Sequence, residues 1–424
     1  MQAVPQPIGA GAEFLGLNDD RFKTTRLTVA LLLPLREETA SSNAILPFLL
    51  RRSCAEYPRF AELQRHLNEL YGARIIPEVT RIGNNQALIL TAVSIDDRFA
   101  LQKEDISLQC AKLLRSMLFL PVLGDGAFPS SDTEQEKRCL VELIESEINE
   151  KRLYARHRCE QILCEGEGYA VNRYGNIDGV NSLTPGSVAA AWRNMLKSAR
   201  IRIIYQGAGS GDAVLDAFRE GLELIGRNPV SFDTDAGWDA SRGVKEITER
   251  MDVNQSKLVM GFRAPGNAGI PQMRLMNALL GGTPHSLLFK NAREKLGLCY
   301  YCSSSYDRLG GVLLVDSGVD GQNAGKAREE ILRQLDSVCR GEFTGDEMES
   351  ARRSLTNQFQ TLGDLQSSLA GWYVGQSLDK IMTAPEQAAE ELAAVTRENI
   401  MEAARRVKPG AVYLLTGKEG GHVG

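Results

Sequence analysis

Short apolar runs and helical stripes alternate along the first half of the chain. Runs rich in leucine and β-branched residues predict strands at residues 27–33, 87–93 and 201–205. Between these runs, apolar residues recur every three or four positions, the spacing of one helix face. This spacing predicts helices at residues 60–71, through Leu63, Leu67 and Leu70, and at residues 132–149, through Cys139, Leu140, Leu143, Ile144 and Ile148.

The second half repeats this order of elements. Strands are predicted at residues 257–262, 299–303, 312–319 and 411–415, and helices at residues 272–280, 287–295, 324–339 and 346–378. The sequences of the two halves align without internal gaps at a shift of 225 residues (294 − 69). At this shift Glu69 aligns with Glu294 and Gly72 with Gly297. The shared order and spacing indicate an internal duplication.

The duplication predicts two homologous domains of the α+β class, at residues 1–226 and 242–424. The linker at residues 227–241 has the proline, aspartate and glycine content of a connecting segment. Each domain is expected to form a mostly antiparallel sheet with helices packed on one face.

Composition and charge narrow the class of protein. The chain has 424 residues, of which 43% are hydrophobic and 24% charged, as in folded globular proteins. Its 49 basic and 54 acidic residues give a net charge of −5, so no positive field attracts phosphates, and nucleic acid is not expected as a partner.

No membrane or export segment is predicted. The longest apolar runs, residues 27–35 and 44–50, are shorter than the roughly 20 residues that span a bilayer. The first twenty residues lack the basic and apolar regions of a signal peptide. We therefore expect a cytoplasmic protein without membrane contact, whose eight cysteines are reduced.

The residue pattern argues against a metal site, a reactive thiol pair and a phosphate-binding loop. The histidines, His66, His157, His285 and His422, are too dispersed for two to ligate a metal from one helix turn. Cys299 and Cys302 match C-x-x-C, but in a straight strand they would point to opposite faces of the sheet, which favours structural cysteines. The glycines between Gly207 and Gly211 lack the Lys-Ser/Thr of a phosphate-binding loop and favour a plain strand-to-helix turn.

Arg293 and Tyr300 occupy the junction between a predicted helix and a predicted strand. Gly297 between them is the expected end of the helix. A cation in the last helical turn suits the helix dipole, and a tyrosine at a strand start suits the core, so the residue types alone favour structural roles.

This junction resembles the second domain of the insulinase-like (M16) peptidase family. Residues 288–300 follow the family pattern L-F-x-x-[LIV]-R-E-x-x-G-L-x-Y, with Ala292 as the mismatch. Residues 25–31, 48–54 and 63–73 follow the order of the family's first domain. The resemblance covers almost the whole chain and implies repeated α/β domains, in agreement with the duplication.

The resemblance also shows what this chain has lost. Active members carry H-x-x-E-H on the helix that here reads residues 44–48, so Ala44 and Phe48 stand at the zinc-binding histidines and Pro47 at the catalytic glutamate. The third ligand, a glutamate, aligns near Leu143, between Glu142 and Glu145. No metal is expected in this chain, because these residues offer neither ligands nor a general base.

Arg293 and Tyr300 match the pair that such peptidases bring from a second domain to the zinc of the first. The resemblance therefore implies a non-catalytic subunit of a heterodimer that supplies both residues in trans to a zinc-bearing, H-x-x-E-H-containing partner acting on an extended peptide. Residues 151–155 and 174–175 are similar to the zinc-less YmfF-like group, which is associated with elongation factor P modification.

Two other interpretations remain open at this point. In the first, the chain is an inactive M16-type scaffold or peptide-binding protein, and Arg293 and Tyr300 are remnants. In the second, it is an independent enzyme with a site at Cys299 or Cys302.

Overall fold

The strands of the chain form two separate sheets. The computed structural model describes residues 4–223, 225–232, 243–264, 269–379 and 381–417. Within these ranges the strands are β1 (Gln6–Gly9), β2 (Ala12–Asn18), β3 (Thr24–Pro34), β4 (Arg74–Ile82), β5 (Asn85–Ile95), β6 (Arg200–Gly207), β7 (Lys245–Arg250), β8 (Ser256–Arg263), β9 (Cys299–Asp307), β10 (Val312–Val319) and β11 (Lys408–Thr416).

Helices surround both sheets. They are α1 (Glu37–Ala44), α2 (Leu46–Leu50), α3 (Phe60–Glu69), α4 (Ile106–Phe119), α5 (Ser130–Asn149), α6 (Lys151–Leu163), α7 (Ile177–Asn181), α8 (Pro185–Ser198), α9 (Asp212–Glu223), α10 (Ile270–Asn277), α11 (Ala324–Arg340), α12 (Gly345–Thr361), α13 (Gln366–Val374), α14 (Pro385–Ala393) and α15 (Arg397–Arg406). No helix within the described ranges is long and apolar enough to cross a membrane.

Both sheets are mostly antiparallel. The first has the order β1-β2-β6-β3-β5-β4, with β2 and β6 parallel, and the second has the order β7-β11-β8-β10-β9, with β7 and β11 parallel. The long central pairing of β3 with β5 buries two of the three apolar runs found in the first half. The predicted α+β class is confirmed.

The described residues separate into two compact units that do not follow the chain order. Unit 1 contains residues 1–144, 171–233 and 363–384, and unit 2 contains residues 145–170, 234–362 and 385–424. Each half of the sequence thus gives one helix to the other unit: α6 packs on β8 and β11 of unit 2, and α13 packs on β3 and β6 of unit 1. Each sheet is therefore covered on a second face as well as on the predicted one.

Small residues allow α6 to approach the second sheet closely. Ala155 and Cys159 of α6 are fully buried and belong to one apolar cluster with Leu314 and Tyr413. A Cβ at Gly261 would lie 3.1 Å from the Cys159 sulfur, so a larger residue there would push the helix away. This packing connects the first half of the sequence to unit 2.

Some helical predictions in the second half were wrong in detail. The pattern at residues 346–378 is two helices, because α12 ends at Thr361 and a 3₁₀ turn, Leu362–Asp364, precedes α13. Gly363 in that turn has a low helix propensity, and apolar periodicity does not report such a break. The predicted helix at residues 287–295 is largely a π-helix, Phe289–Lys295.

The boundary between the predicted domains remains a prediction. Residues 233–241 of the proposed linker lie outside the described residues, as does His422.

Candidate functional site

The segment aligned with the zinc-binding helix is broken and buried. α1 ends at Ala44 and α2 begins at Leu46, so the prediction of one helix through residues 44–48 was wrong. Pro47 explains the break, because it has no N–H to donate to the carbonyl of Asn43. Ala44 is 0% exposed and Phe48 is half-buried. These positions offer no metal ligand.

The third aligned position does not supply a ligand either. Leu143 on α5 is half-buried, and its neighbours Glu142 and Glu145 are exposed. Among the described residues, no group of three or more His, Cys, Asp or Glu side chains is placed to hold a metal ion. The residues at the aligned positions therefore do not fit a zinc ion.

The histidines make ordinary contacts within the described part of the chain. The ring of His66 stacks on that of Tyr57 at 4.4 Å between centroids. His157 Nδ1 lies 3.8 Å from a carboxylate oxygen of Glu147, and His285 is exposed.

Arg293 is held on the surface by local geometry. It lies in the π-helix Phe289–Lys295, where its guanidinium sits 4.7 Å from the ring centroid of Phe289. Gly297 ends this helix as predicted, with φ +60°, and its N–H donates to the carbonyl of Arg293. The Arg293 side chain is exposed and makes no hydrogen bond or ion pair within the described residues.

Tyr300 sits on a β-bulge at the start of β9. Across the ladder with β10, Cys299 lies opposite Val319, whereas Tyr301 lies opposite Gly318, so Tyr300 is the extra residue. Its side chain is 60% exposed, and its hydroxyl lies 3.4 Å from a carboxylate oxygen of Asp320. The residue type alone suggested a core position for Tyr300. The bulge instead directs its side chain away from the core.

The bulge also corrects the interpretation of the two cysteines. Cys302 lies opposite Ser317 and Cys299 opposite Val319, and these two partners are on one face of β10. Cys299 and Cys302 therefore share a face, and the prediction that they point to opposite faces was wrong. Both thiols are buried and unbridged.

The two thiols differ in acidity because they interact. The hydrogen bond from Cys302, with a smaller contribution from Arg293, lowers the pKa of Cys299 despite its burial. The same hydrogen bond, together with burial, raises the pKa of Cys302. Cys299 is therefore the more readily ionised thiol of the pair.

The strands behind Tyr300 are fixed by a buried carboxylate that sequence reasoning missed. Asp316 on β10 is 1% exposed and accepts from Arg152 Nε at 2.6 Å and Arg156 Nη1 at 2.8 Å. The Arg152 guanidinium also lies 4.3 Å from the ring centroid of Tyr301. Asp316 lies 164 positions from Arg152 in the chain, so no local pattern links the two residues. The spacing of four between Arg152 and Arg156, which places both on one helix face, was the signal for a shared partner.

The glycine-rich loop after β6 makes internal contacts, as the plain-turn interpretation expects. Cβ atoms at Gly207 and Gly211 would lie within 3 Å of the Tyr205 side chain. The Ala208 amide donates to a carboxylate oxygen of Asp96 at 3.1 Å.

The fold and the sequence match known proteins. The profile of the Peptidase M16 inactive domain matches residues 182–355. The crystal structure of a peptidase M16 inactive domain from Pseudomonas fluorescens has the same fold, with a TM-score of 0.79 over 99% of each chain at 14% identity. The chain is thus similar to proteins of the insulinase-like (M16) peptidase family that are described as inactive, in agreement with the resemblance found in the sequence.

Two relatives extend along almost the whole chain. The probable inactive metalloprotease YmfF of Bacillus subtilis (strain 168) is 26% identical over 404 residues, which are 95% of each protein. A conserved protein from Enterococcus faecalis V583 has a crystal structure with a TM-score of 0.88, 26% identity and 99% coverage of both chains. The similarity to the YmfF-like group is thereby confirmed.

Proposed function

We propose that this chain is the non-catalytic, substrate-binding subunit of a heterodimeric M16-type zinc peptidase. Its zinc-bearing partner would carry H-x-x-E-H, and this chain would supply Arg293 and Tyr300 in trans. The pair acts on an extended peptide in the cytoplasm, and the link to elongation factor P modification, drawn from the YmfF-like group, belongs to the same proposal.

The observation that carries the proposal is the exposure of both retained residues. The Arg293 guanidinium has no hydrogen-bond partner within the described residues, and the Tyr300 hydroxyl has one long contact to Asp320. A side chain kept only for packing would be buried or paired. Both groups are instead available to a ligand.

The chemistry of the two groups suits acyl transfer at a metal. A tyrosine hydroxyl can donate to the oxyanion that forms as a peptide carbonyl becomes tetrahedral, and a guanidinium can hold a neighbouring substrate carbonyl. Neither group activates water. Activity therefore depends on the partner, and this chain alone is expected to be inactive.

The test is reconstitution of the chain with a zinc-bearing M16 peptidase subunit that co-purifies with it. Arg293→Ala and Tyr300→Phe should each lower kcat/KM for peptide cleavage by roughly ten- to a thousandfold, the range for one oxyanion-stabilising donor. Equal activity of both variants and the wild-type pair would overturn the proposal.

Matched controls separate catalysis from local packing. Tyr301→Phe removes the neighbouring hydroxyl and keeps the ring beneath Arg152. Lys295→Ala removes an exposed cation from the helix that carries Arg293. Both controls should retain kcat/KM within about twofold of the wild-type pair, because neither side chain belongs to the proposed site.

The alternative function is that of an inactive scaffold or peptide-binding protein. The burial of the segment around Ala44 is also consistent with this function. That function predicts a stable complex in which no chain cleaves peptides. The same reconstitution distinguishes the two proposals.

A further inference from the structure

Unit 1 contains a cleft that has no role in the proposed peptidase. It lies between α13 and the face of the first sheet that carries Arg26, Thr28 and Thr91, and its volume is about 290 Å³. Pockets for small ligands begin at roughly this size. All lining residues belong to unit 1.

Arg26 brings a positive charge into the cleft. It is half-buried, makes no hydrogen bond or ion pair within the described residues, and its buried Nε has no acceptor there. Burial lowers the pKa of Arg26, opposed in part by the Glu78 carboxylate. A guanidinium in this setting is stabilised by an anion that accepts two hydrogen bonds.

A second donor lies beside Arg26. The Thr28 and Thr91 hydroxyls are 3.2 Å apart, and each of the two residues is 2% exposed. One hydroxyl donates to the other, so one hydroxyl hydrogen of the pair remains for another acceptor. The guanidinium and this hydroxyl are the donor set that a carboxylate uses.

The remaining walls limit the kind of anion. Ile82, Ile89 and Val374 provide an apolar surface. Glu78 projects from β4 on the same face, opposite Ile89, and disfavours a ligand with two negative charges. The walls formed by Arg26, Glu78 and the apolar residues therefore suit a monoanion with an apolar group better than phosphate.

We propose that this cleft binds an amphipathic monocarboxylate of amino-acid size, with the Arg26 guanidinium and the Thr28–Thr91 hydroxyl pair on its carboxylate. The carboxylate belongs either to a free amino acid, whose ammonium group Glu78 attracts, or to the terminal residue of a peptide. The site needs neither Arg293 nor Tyr300, so it is independent of the proposed peptidase function.

Calorimetric titration of the full chain tests the site with defined probes. N-acetyl-leucine should bind with a Kd between about 0.1 and 5 mM, as expected for a ligand of this size. N-acetyl-leucinamide and inorganic phosphate should bind at least about tenfold more weakly, because the amide is uncharged and phosphate has no apolar group and carries a second negative charge. Tighter binding of leucine than of N-acetyl-leucine identifies the free amino acid, and the reverse order identifies a peptide terminus.

Two variants remove the site by different means. Arg26→Gln removes the charge and should weaken binding of N-acetyl-leucine at least about tenfold, the loss expected for a charge-assisted pair. Gly371→Leu fills the cleft from α13, where an added Cβ has no heavy atom within 4 Å. It should abolish binding while the unfolding curve shows a folded protein, because leucine favours helix more than glycine.

The control is Arg138→Gln, an exposed arginine on α5 outside the cleft, which should bind like wild type. Absence of saturable binding for both carboxylates up to about 20 mM would overturn the proposal. Equal binding of the amide, or wild-type affinity in folded Gly371→Leu, would also overturn it.

Discussion

The segment around Ala44 aligns with the zinc-binding side of the M16 peptidase site, and the segment around Tyr300 aligns with the side that supplies Arg and Tyr. The two segments differ in burial and polarity. Ala44 is fully buried and Pro47 interrupts the helix, whereas Tyr300 is 60% exposed and Arg293 makes no hydrogen bond or ion pair within the described residues. Loss of the metal site is thus accompanied by closure of one segment only. Purely structural roles for Arg293 and Tyr300 do not explain this difference between the two segments.

Introducing histidine at Ala44 should give the largest effect on stability. The site has no space, and the imidazole would be buried without a partner, so Ala44→His should lower the free energy of unfolding by about 2 to 5 kcal/mol. Urea unfolding measures this change. Ser42→His, at a half-buried position on the same helix, should cost less, and equal stability of wild type and Ala44→His would show that the segment is not closed.

Gly297→Ala should weaken the segment that carries Arg293. The residue has φ +60°, and an added Cβ would meet no heavy atom within 4 Å, so the cost is conformational only. We expect about 1 kcal/mol by urea unfolding, and less for Gly297→Asn, since asparagine tolerates this conformation. No difference between wild type and Gly297→Ala would contradict the role of Gly297 in ending the helix.

The cysteines beside Tyr300 should react in a fixed order. Because the pKa of Cys299 is lowered and that of Cys302 is raised, Cys299 holds the larger thiolate fraction at any pH below complete ionisation. Limited alkylation near pH 8, followed by peptide mass spectrometry, should label Cys299 several-fold faster. Cys302→Ala removes the hydrogen bond and should slow labelling of Cys299; faster labelling of Cys302 in the wild type would contradict the predicted order of acidity.

The smallest effect is expected for removing the retained pair itself. Arg293→Ala and Tyr300→Phe should each change the free energy of unfolding by less than about 0.5 kcal/mol, because both side chains are exposed. Urea unfolding of the isolated chain is the measurement. A loss above about 2 kcal/mol for either variant would assign that residue a structural role.

Local pattern was sufficient to predict much of the fold. The apolar runs that form β3 and β5 are buried over most of their length. Their apolar residues alone therefore indicate two strands inside the core. β4 was missed because it lies at a sheet edge, has Pro77 and fully buries only Val79 and Ile82. The assignment of α6 and α13 to the opposite units depends on contacts between distant segments, which no local pattern reports.

The candidate site was predictable only in part. The order of residues around Gly297 identified Arg293 and Tyr300, but the bulge at Tyr300 and the shared face of Cys299 and Cys302 follow from pairing with β10. Asp316 was missed for a similar reason, because its arginine partners come from α6.

The central claim is that this chain works with a zinc-bearing partner. The most direct test is native purification from the source cell, followed by identification of bound chains by mass spectrometry and measurement of zinc per complex. We predict a similar-sized chain with H-x-x-E-H and about one zinc per pair. Recovery of the chain alone, or in a complex without such a partner or zinc, would contradict the claim.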